Sequence, residues 1–189
     1  MRIRAALIAL VLVTIGAANA TVSHDQHPYR QHWKHSTFGK RAIAGVAAGA
    51  GVSQVRHQPR QWGGGAGGFG KRLGAGFATH TMKTTVEHAV AAPLHEDLHY
   101  HRSNKRGFGP RMGHALASTV VTRNTRNGKH TAAVGRISGH AAAGVVSQAG
   151  LHAASGASTA GIGLAADAGA NVGREFWPRH HHRPPKRRG

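Results

Sequence analysis

Large apolar side chains are scarce in this sequence, and that scarcity limits what the chain can fold into. Beyond residue 20, leucine, isoleucine, valine and phenylalanine supply 26 of 169 residues, about 15%. Highly charged chains with less than roughly 20% of these residues are usually disordered. Alanine (27) and glycine (26) make up most of the remaining apolar character, and alanine buries little area. The sequence therefore predicts either partial disorder or helices that pack very closely through small residues.

The first twenty residues have the organisation of a bacterial export signal. Arg2 and Arg4 precede an uncharged apolar stretch of about thirteen residues, and Ala18–Asn19–Ala20 fits the small-x-small cleavage rule. That stretch is shorter than the ~20 residues that a spanning helix needs. We therefore expect residues 1–20 to be a cleaved signal peptide and the protein to be exported to the periplasm or cell envelope.

Charge and cysteine content narrow the function. Lysine and arginine total 25 against 6 acidic residues; without residues 1–20 the balance is 23 against 6, a net charge of +17. Such a chain attracts anions, but export and only ten aromatic residues argue against a nucleic-acid partner. The absence of cysteine excludes disulfides and thiol catalysis. The expected partner is an anionic lipid or envelope-polymer surface.

Composition divides the chain into short segments. In chain order we expect a signal peptide at 1–20, a flexible histidine-rich arm at 21–37, a helix at 38–56, a glycine-rich linker at 57–70, a helical domain at 71–177 and a disordered basic tail at 178–189. The linker rests on Pro59 and on a run of glycines, each of which costs a helix about 1 kcal/mol relative to alanine. The predicted fold class is mainly α, an alanine- and glycine-rich helical bundle.

Residues 118–134 are open to two interpretations. A helix–turn–helix continues the helical pattern on either side. The Asn127–Gly128 pair between segments that favour strands, such as 119–122, instead signals a β-hairpin.

Small residues recur every four positions in the last predicted helix. Four-residue spacing puts side chains on one helix face, where small residues let another backbone approach closely. We expect this stripe to pack on another helix or on a second copy in a homo-oligomer, although chance spacing is an alternative in so alanine-rich a chain. Its central members are Gly161, Ala165, Gly169 and Gly173; Gly135 and Gly139 have the same spacing, as do Gly45 and Gly49.

The uncharged segment 141–166 is long enough to cross a bilayer. Only five of its residues are leucine, isoleucine, phenylalanine or valine, the strong drivers of insertion. A helix packed on partners or lying on a membrane surface is therefore favoured over a spanning helix.

Residues 95–99 read His-Glu-Asp-Leu-His and match the zinc-protease pattern His-Glu-x-x-His. Pro93 lies too close for an established helix, and Asp97 puts a charge where such helices usually have none. Catalytic zinc is therefore disfavoured. His95, His99 and His101 stay candidate ligands for zinc or another divalent metal, with solvated histidines as the alternative.

Three short motifs resemble a group of uncharacterised, exported bacterial proteins made of small helical domains. They are Pro93–Leu94–His95–Glu96–Asp97, Gly113–His114–Ala115–Leu116 with Thr122–Arg123, and the segment from Asn171 to Glu175–Phe176–Trp177–Pro178. The resemblance covers about residues 68–178 and implies a small helical domain but no activity. Its acidic motif tends to continue with proline and arginine, where this chain has Leu98 and His99.

The sequence contains no nucleophile elbow and no phosphate-binding loop. We therefore expect a non-enzymatic envelope protein without a cofactor, with histidine-mediated metal binding as the alternative function. The residues expected to contact anions or membrane are Lys71, Arg72, Lys105, Arg106, Lys186, Arg187 and Arg188.

Overall fold

The computed structural model of the protein describes residues 27–151 and 156–177. The predicted signal peptide and the predicted basic tail lie outside these ranges. The elements, in chain order, are α1 (His27–Phe38), α2 (Lys40–Val55), a 3-10 turn (Arg60–Trp62), α3 (Gly65–Leu94), α4 (Phe108–Ala117), β1 (Val121–Arg123), β2 (His130–Ala132), α5 (Val134–Leu151) and α6 (Gly156–Phe176). The protein is mainly helical, as the sequence predicts.

The longest helix, α3, is the centre of the bundle. Helices α1, α2 and α5 all pack on it, α6 packs on α5, and α4 packs on α6. Within the described ranges, no helix combines the length and the apolar character needed to cross a membrane.

The interior is held by polar groups more than by apolar ones. Among the described residues, every buried apolar side chain is an alanine, whereas Glu96, Glu175 and Thr37 are the largest fully buried side chains. Large apolar residues such as Val55 (79% exposed) stay at the surface. Because alanine gains little from burial, hydrogen bonds between elements carry much of the specificity of this fold.

Close helix packing occurs between α3 and α5. A Cβ atom added at Gly135 would lie 2.8 Å from the carbonyl oxygen of Glu87, and one at Gly139 would lie 2.7 Å from that of Lys83. Both distances are shorter than van der Waals contact, so only glycine permits this approach. The four-residue spacing of these two glycines thus has the packing role that the sequence indicated for such pairs.

The stripe of Gly161, Ala165, Gly169 and Gly173 on α6 is expected to pack on another helix or on a second copy, and packing on another helix of the described chain is wrong. All four residues are exposed, and Cβ atoms added at the three glycines would meet no atom of the described chain within 4 Å outside the adjacent backbone of α6. The face of α6 that packs inward is offset by two residues. It carries Gly163, Asp167, Asn171 and Glu175, whose polar groups find partners inside. Pairing of two copies through the outer stripe stays a prediction.

The flexible arm predicted at 21–37 is corrected from residue 27 onwards, because that part forms α1 and packs on α3. The hydroxyls of Thr37 and Thr84 are 2.9 Å apart and buried, and Trp33 Nε1 donates to the Thr85 hydroxyl. Trp33 and Thr37 are four residues apart, so they lie on the same face of α1 and hydrogen-bond to α3 from there. An apolar stripe, which is the usual signal of a packed helix, is absent from this segment.

The linker predicted at 57–70 is also partly wrong, because α3 begins at Gly65. A Cβ atom at Gly68 would lie 2.5 Å from the carbonyl oxygen of Gly63, so the glycine lets the preceding turn fold back onto the helix. The guanidinium of Arg72 stabilises that turn by donating hydrogen bonds to backbone carbonyl oxygens of the turn. These tertiary contacts offset the low helix propensity of the glycine run.

The two interpretations of residues 118–134 are resolved in favour of the hairpin. Strands β1 and β2 pair antiparallel with Thr122 opposite Thr131. In the connecting loop Gly128 adopts φ +68°, and the side-chain carbonyl of Asn124 accepts from two backbone N–H groups, which is a typical turn arrangement. The helices predicted on either side are correspondingly shorter.

Candidate functional site

The His-Glu-Asp-Leu-His segment is not helical. His95 ends α3 in the left-handed conformation (φ 52°), and Glu96 then forms an isolated β-bridge with Asn124 of the hairpin loop. The spacing that would bring His95 and His99 to one helix face therefore does not apply.

Glu96 has a structural role in place of the catalytic one. Its carboxylate oxygens accept hydrogen bonds from the backbone N–H groups of Val134 (2.9 Å) and Gly135 (3.0 Å), at the start of α5. A carboxylate there satisfies free N–H groups and complements the helix dipole. Burial raises the pKa of Glu96, although the two N–H groups act in the opposite direction. The side chain of Glu96 thus caps the N-terminus of α5.

His99 and His101 meet at one carboxylate. Nδ1 of His99 lies 3.2 Å from one oxygen of Asp97, and Nε2 of His101 lies 2.7 Å from the other. Burial raises the pKa of Asp97, but the hydrogen bonds from both histidines outweigh it and lower that pKa below its ordinary value. In the part of the chain that the structure describes, no group of three or more potential ligands is arranged to hold a metal ion. The three predicted ligands therefore do not form one site.

A different set of imidazoles does come together, and its pairing was not predicted from the sequence. Nδ1 of His32, on α1, lies 2.8 Å from Nε2 of His88, on α3. The ring of His32 also lies against that of His99, with centroids 4.5 Å apart and the planes tilted by 57°. The sequence signals for this cluster are the histidine-rich composition of residues 21–37 and the helical spacing of polar residues in α1.

The hydrogen bonds assign the tautomers of this cluster. Nδ1 of His88 lies 2.7 Å from the carbonyl oxygen of Thr84, so it carries the proton and leaves Nε2 to accept from His32. The unprotonated nitrogen of His32 is then Nε2. Burial lowers the pKa of His88, and burial with the neighbouring His88 and His99 lowers the pKa of His32 to about 4. These imidazoles are therefore neutral at pH 7.

An open cavity of about 510 Å³ adjoins the cluster, and an ion-pair network lines it. Lys83 on α3 contacts Glu87 (3.1 Å) and Asp167 of α6 (3.3 Å), and Asp167 lies 2.8 Å from His140 of α5. Burial raises the pKa of Asp167, but the bond to His140 and the charge of Lys83 outweigh it and hold that pKa at about 2. The network joins three helices.

Arg72 does not contact solvent as a predicted anion-binding residue should. It is 3% exposed. Its guanidinium donates to the backbone carbonyls of Gln58, Pro59 and Gly63 and to the side chain of Gln54, at 2.8 to 3.0 Å. The prediction for Arg72 is therefore wrong, because a planar five-donor group matches a ring of carbonyls.

The other predicted anion-binding residues that the structure describes are accessible to solvent. Lys71, Lys105 and Arg106 are exposed. Lys186, Arg187 and Arg188 lie outside the described residues.

The carboxylates are turned inward. Five of the six acidic residues are described, and each is bonded to a group of the fold: Glu87, Glu96, Asp97, Asp167 and Glu175. The most exposed of the ion-paired ones, Asp167, is 33% exposed at its side chain. The exterior of the described chain is consequently almost free of negative charge.

Glu175 organises one end of the molecule. Its fully buried carboxylate accepts from the Tyr100 hydroxyl (2.7 Å), the Ser103 N–H (3.0 Å) and Arg111 Nε (2.9 Å). Burial raises its pKa, but these donors outweigh it and hold the pKa at about 2. Burial, together with the hydrogen bond to this carboxylate, raises the pKa of Tyr100. Glu175 thus fastens the loop before α4 to the end of α6.

Comparison of the chain with protein-family models, curated proteins and solved structures finds no match. The resemblance to exported helical proteins therefore stays a prediction.

Proposed function

We propose that this protein is a non-enzymatic, exported cell-envelope protein that associates with anionic surfaces through its basic exterior. The observation that carries the proposal is the inward orientation of the carboxylates. A net charge of +17 beyond residue 20 attracts anions most strongly where no free carboxylate competes for the cations, and here each described carboxylate is bonded to a group of the fold. Each lysine or arginine near an anionic surface contributes about 1 kcal/mol.

Salt dependence tests this proposal. The full chain is sedimented with vesicles containing 30% phosphatidylglycerol, and separately with inorganic polyphosphate as a soluble anion. We expect binding to both at low salt and a loss of more than about tenfold at 0.5 M salt, because screening shortens the range of charge interactions to a few ångströms. Binding that is absent, or that salt leaves unchanged, would contradict the proposal.

Metal binding is the second candidate, and the contact between the rings of His32 and His99 favours it. The Nδ1 atoms of both imidazoles donate to other side chains, His88 and Asp97. Such bonds orient histidine ligands in metal sites. Two imidazoles with water completing the shell form a candidate zinc site distinct from the one predicted at His95, His99 and His101.

Dialysis against zinc distinguishes the two arrangements. If the alternative is right, the protein retains one zinc ion that His32→Ala abolishes and His95→Ala leaves in place. Retention of no zinc would remove this candidate, whereas loss with His95→Ala would restore the original ligand set.

A further inference from the structure

One end of the molecule combines exposed aromatic rings with a cluster of cations. We call it the aromatic–basic end and define it by the rings of Phe108, Phe176 and Trp177 and the cations Arg102, Lys105, Arg106 and Arg111. Phe108 is 67% exposed and Trp177 is 66% exposed. Residues from two separate stretches, 102–111 and 176–177, build it.

Contacts hold the ring of Phe108 and the backbone of Trp177 at this end. The rings of Phe108 and Phe176 pack with centroids 5.1 Å apart, and the guanidinium of Arg111 lies 4.7 Å from the centre of the Phe176 ring. Nη2 of Arg102 donates to the backbone carbonyl oxygen of Trp177 at 3.1 Å. Because Glu175 holds Arg111 and the loop from beneath, the phenylalanine pair has a defined arrangement, and the Trp177 ring follows it in the chain.

The charge of this end is positive throughout the described residues. Lys105 and Arg106 are exposed, and the stretches 102–111 and 176–177 contain no acidic residue. Glu175, which immediately precedes the second stretch, is fully buried and hydrogen-bonded. The first turn of α4 carries no acidic residue. In the sequence, five further lysines and arginines and no acidic residue follow Trp177.

We propose that the aromatic–basic end is the site where this protein contacts a bilayer of anionic lipids. The Trp177 ring, which has a polar N–H edge, favours the boundary between headgroups and acyl chains. The phenylalanine rings gain from apolar burial there, and the neighbouring cations reach lipid phosphates. A soluble acidic polymer would use the cations but give the exposed rings no apolar environment, so the rings select the lipid. This inference rests on the proposed association with anionic surfaces and names the partner and the contact.

A double substitution tests the contact. Phe108→Ser with Trp177→Ser is compared with Val55→Ser and Ile162→Ser, which are 79% and 70% exposed elsewhere, all in the full chain. We expect the first pair to weaken binding to phosphatidylglycerol vesicles by about tenfold or more and the control pair by less than about threefold. Binding to polyphosphate should be unchanged in both.

Fluorescence provides a readout that does not require a destabilising change. Addition of the same vesicles should shift the tryptophan emission of the wild-type chain to shorter wavelength, and Trp177→Phe should remove that shift while binding stays within about threefold.

The outcomes separate the two proposals. Equal losses in the test and control pairs, a shift that survives Trp177→Phe, or equal loss of vesicle and polyphosphate binding would overturn the lipid contact while leaving the anionic association intact. A dimer that Phe108→Ser with Trp177→Ser dissociates without weakening vesicle binding would assign the rings to a second copy and also overturn it. Absence of wild-type binding to either anion would overturn the proposed function itself.

Discussion

At the scale of single residues, neighbouring basic side chains have opposite roles. Lys71 is exposed, whereas Arg72 is 3% exposed and donates to three backbone carbonyls. The difference follows from position on α3 and from the guanidinium, which can satisfy several carbonyls at once. Net charge therefore overstates the number of cations available to a partner.

Truncation of the two side chains should separate these roles. We expect Arg72→Ala to lower the free energy of unfolding by about 2–4 kcal/mol, because it leaves several carbonyls without a donor. The matched change Lys71→Ala should stay within about 0.5 kcal/mol. Urea denaturation measures both, and equal effects would contradict the structural role of Arg72.

At the scale of elements, the spacing of small residues identifies the inward face of one helix, α5, but not that of another, α6. On α6, the inward face carries Asp167, Asn171 and Glu175, and the small-residue stripe is opposite. On α5, by contrast, Gly135 and Gly139 do lie against α3. The four-residue spacing of small residues identifies a candidate packing face of a helix. Which face packs inward depends on where the polar side chains of that helix find hydrogen-bond partners.

Alanine substitutions distinguish the two faces. At Gly139 a Cβ atom would lie 2.7 Å from the carbonyl oxygen of Lys83, whereas at Gly169 it would lie in open space. Gly139→Ala should therefore destabilise the protein by about 1–3 kcal/mol. Gly169→Ala should stabilise it by up to about 1 kcal/mol, through helix propensity. Thermal unfolding measures both, and a destabilising Gly169→Ala would contradict the exposed position of the stripe.

At the scale of the whole molecule, a polar interior makes stability depend on pH. The alanine core contributes little, and the polar contacts of the half-buried His32 and of the buried Glu96 and Glu175 join the helices to one another and to the hairpin. Their protonation states are therefore part of the fold.

The histidine and carboxylate contributions fall in separate pH windows. His32 has a pKa of about 4 in the folded chain and an ordinary imidazole value near 6.5 when unfolded, so the unfolded state binds more protons between these values. Stability is full above pH 6.5 and falls as pH decreases towards 4. Asp167 and Glu175, with pKa values of about 2, stabilise above the ordinary carboxyl value and lose that contribution only as pH falls towards 2.

Denaturation as a function of pH checks this order. The unfolding midpoint should decrease between pH 7 and 4.5, and His32→Gln should make that decrease shallower, whereas His35→Gln, at an exposed position, should not. A midpoint that stays constant down to pH 4.5 would contradict the neutral state assigned to the half-buried His32.

Much of the secondary structure was predictable because local physics decides it. Helical character, the hairpin signal at Asn127–Gly128 and the shortage of bulky apolar residues are all visible in the printed chain, and the helical fold and alanine core agree with them. The sequence alone also determines the excess of positive charge.

Tertiary structure decided the rest, because polar contacts between distant residues leave no periodic signal. The docking of α1 depends on donors and acceptors such as Thr37 and Thr84 meeting across two helices. The glycine run became helical because Arg72 and Gly68 hold the turn before it. A periodic hydrophobic pattern identifies the buried face of a helix or strand from that segment alone, even when the element that covers it is unknown. A buried carboxylate such as Glu175 can be identified only once Tyr100, Ser103 and Arg111 are in place around it.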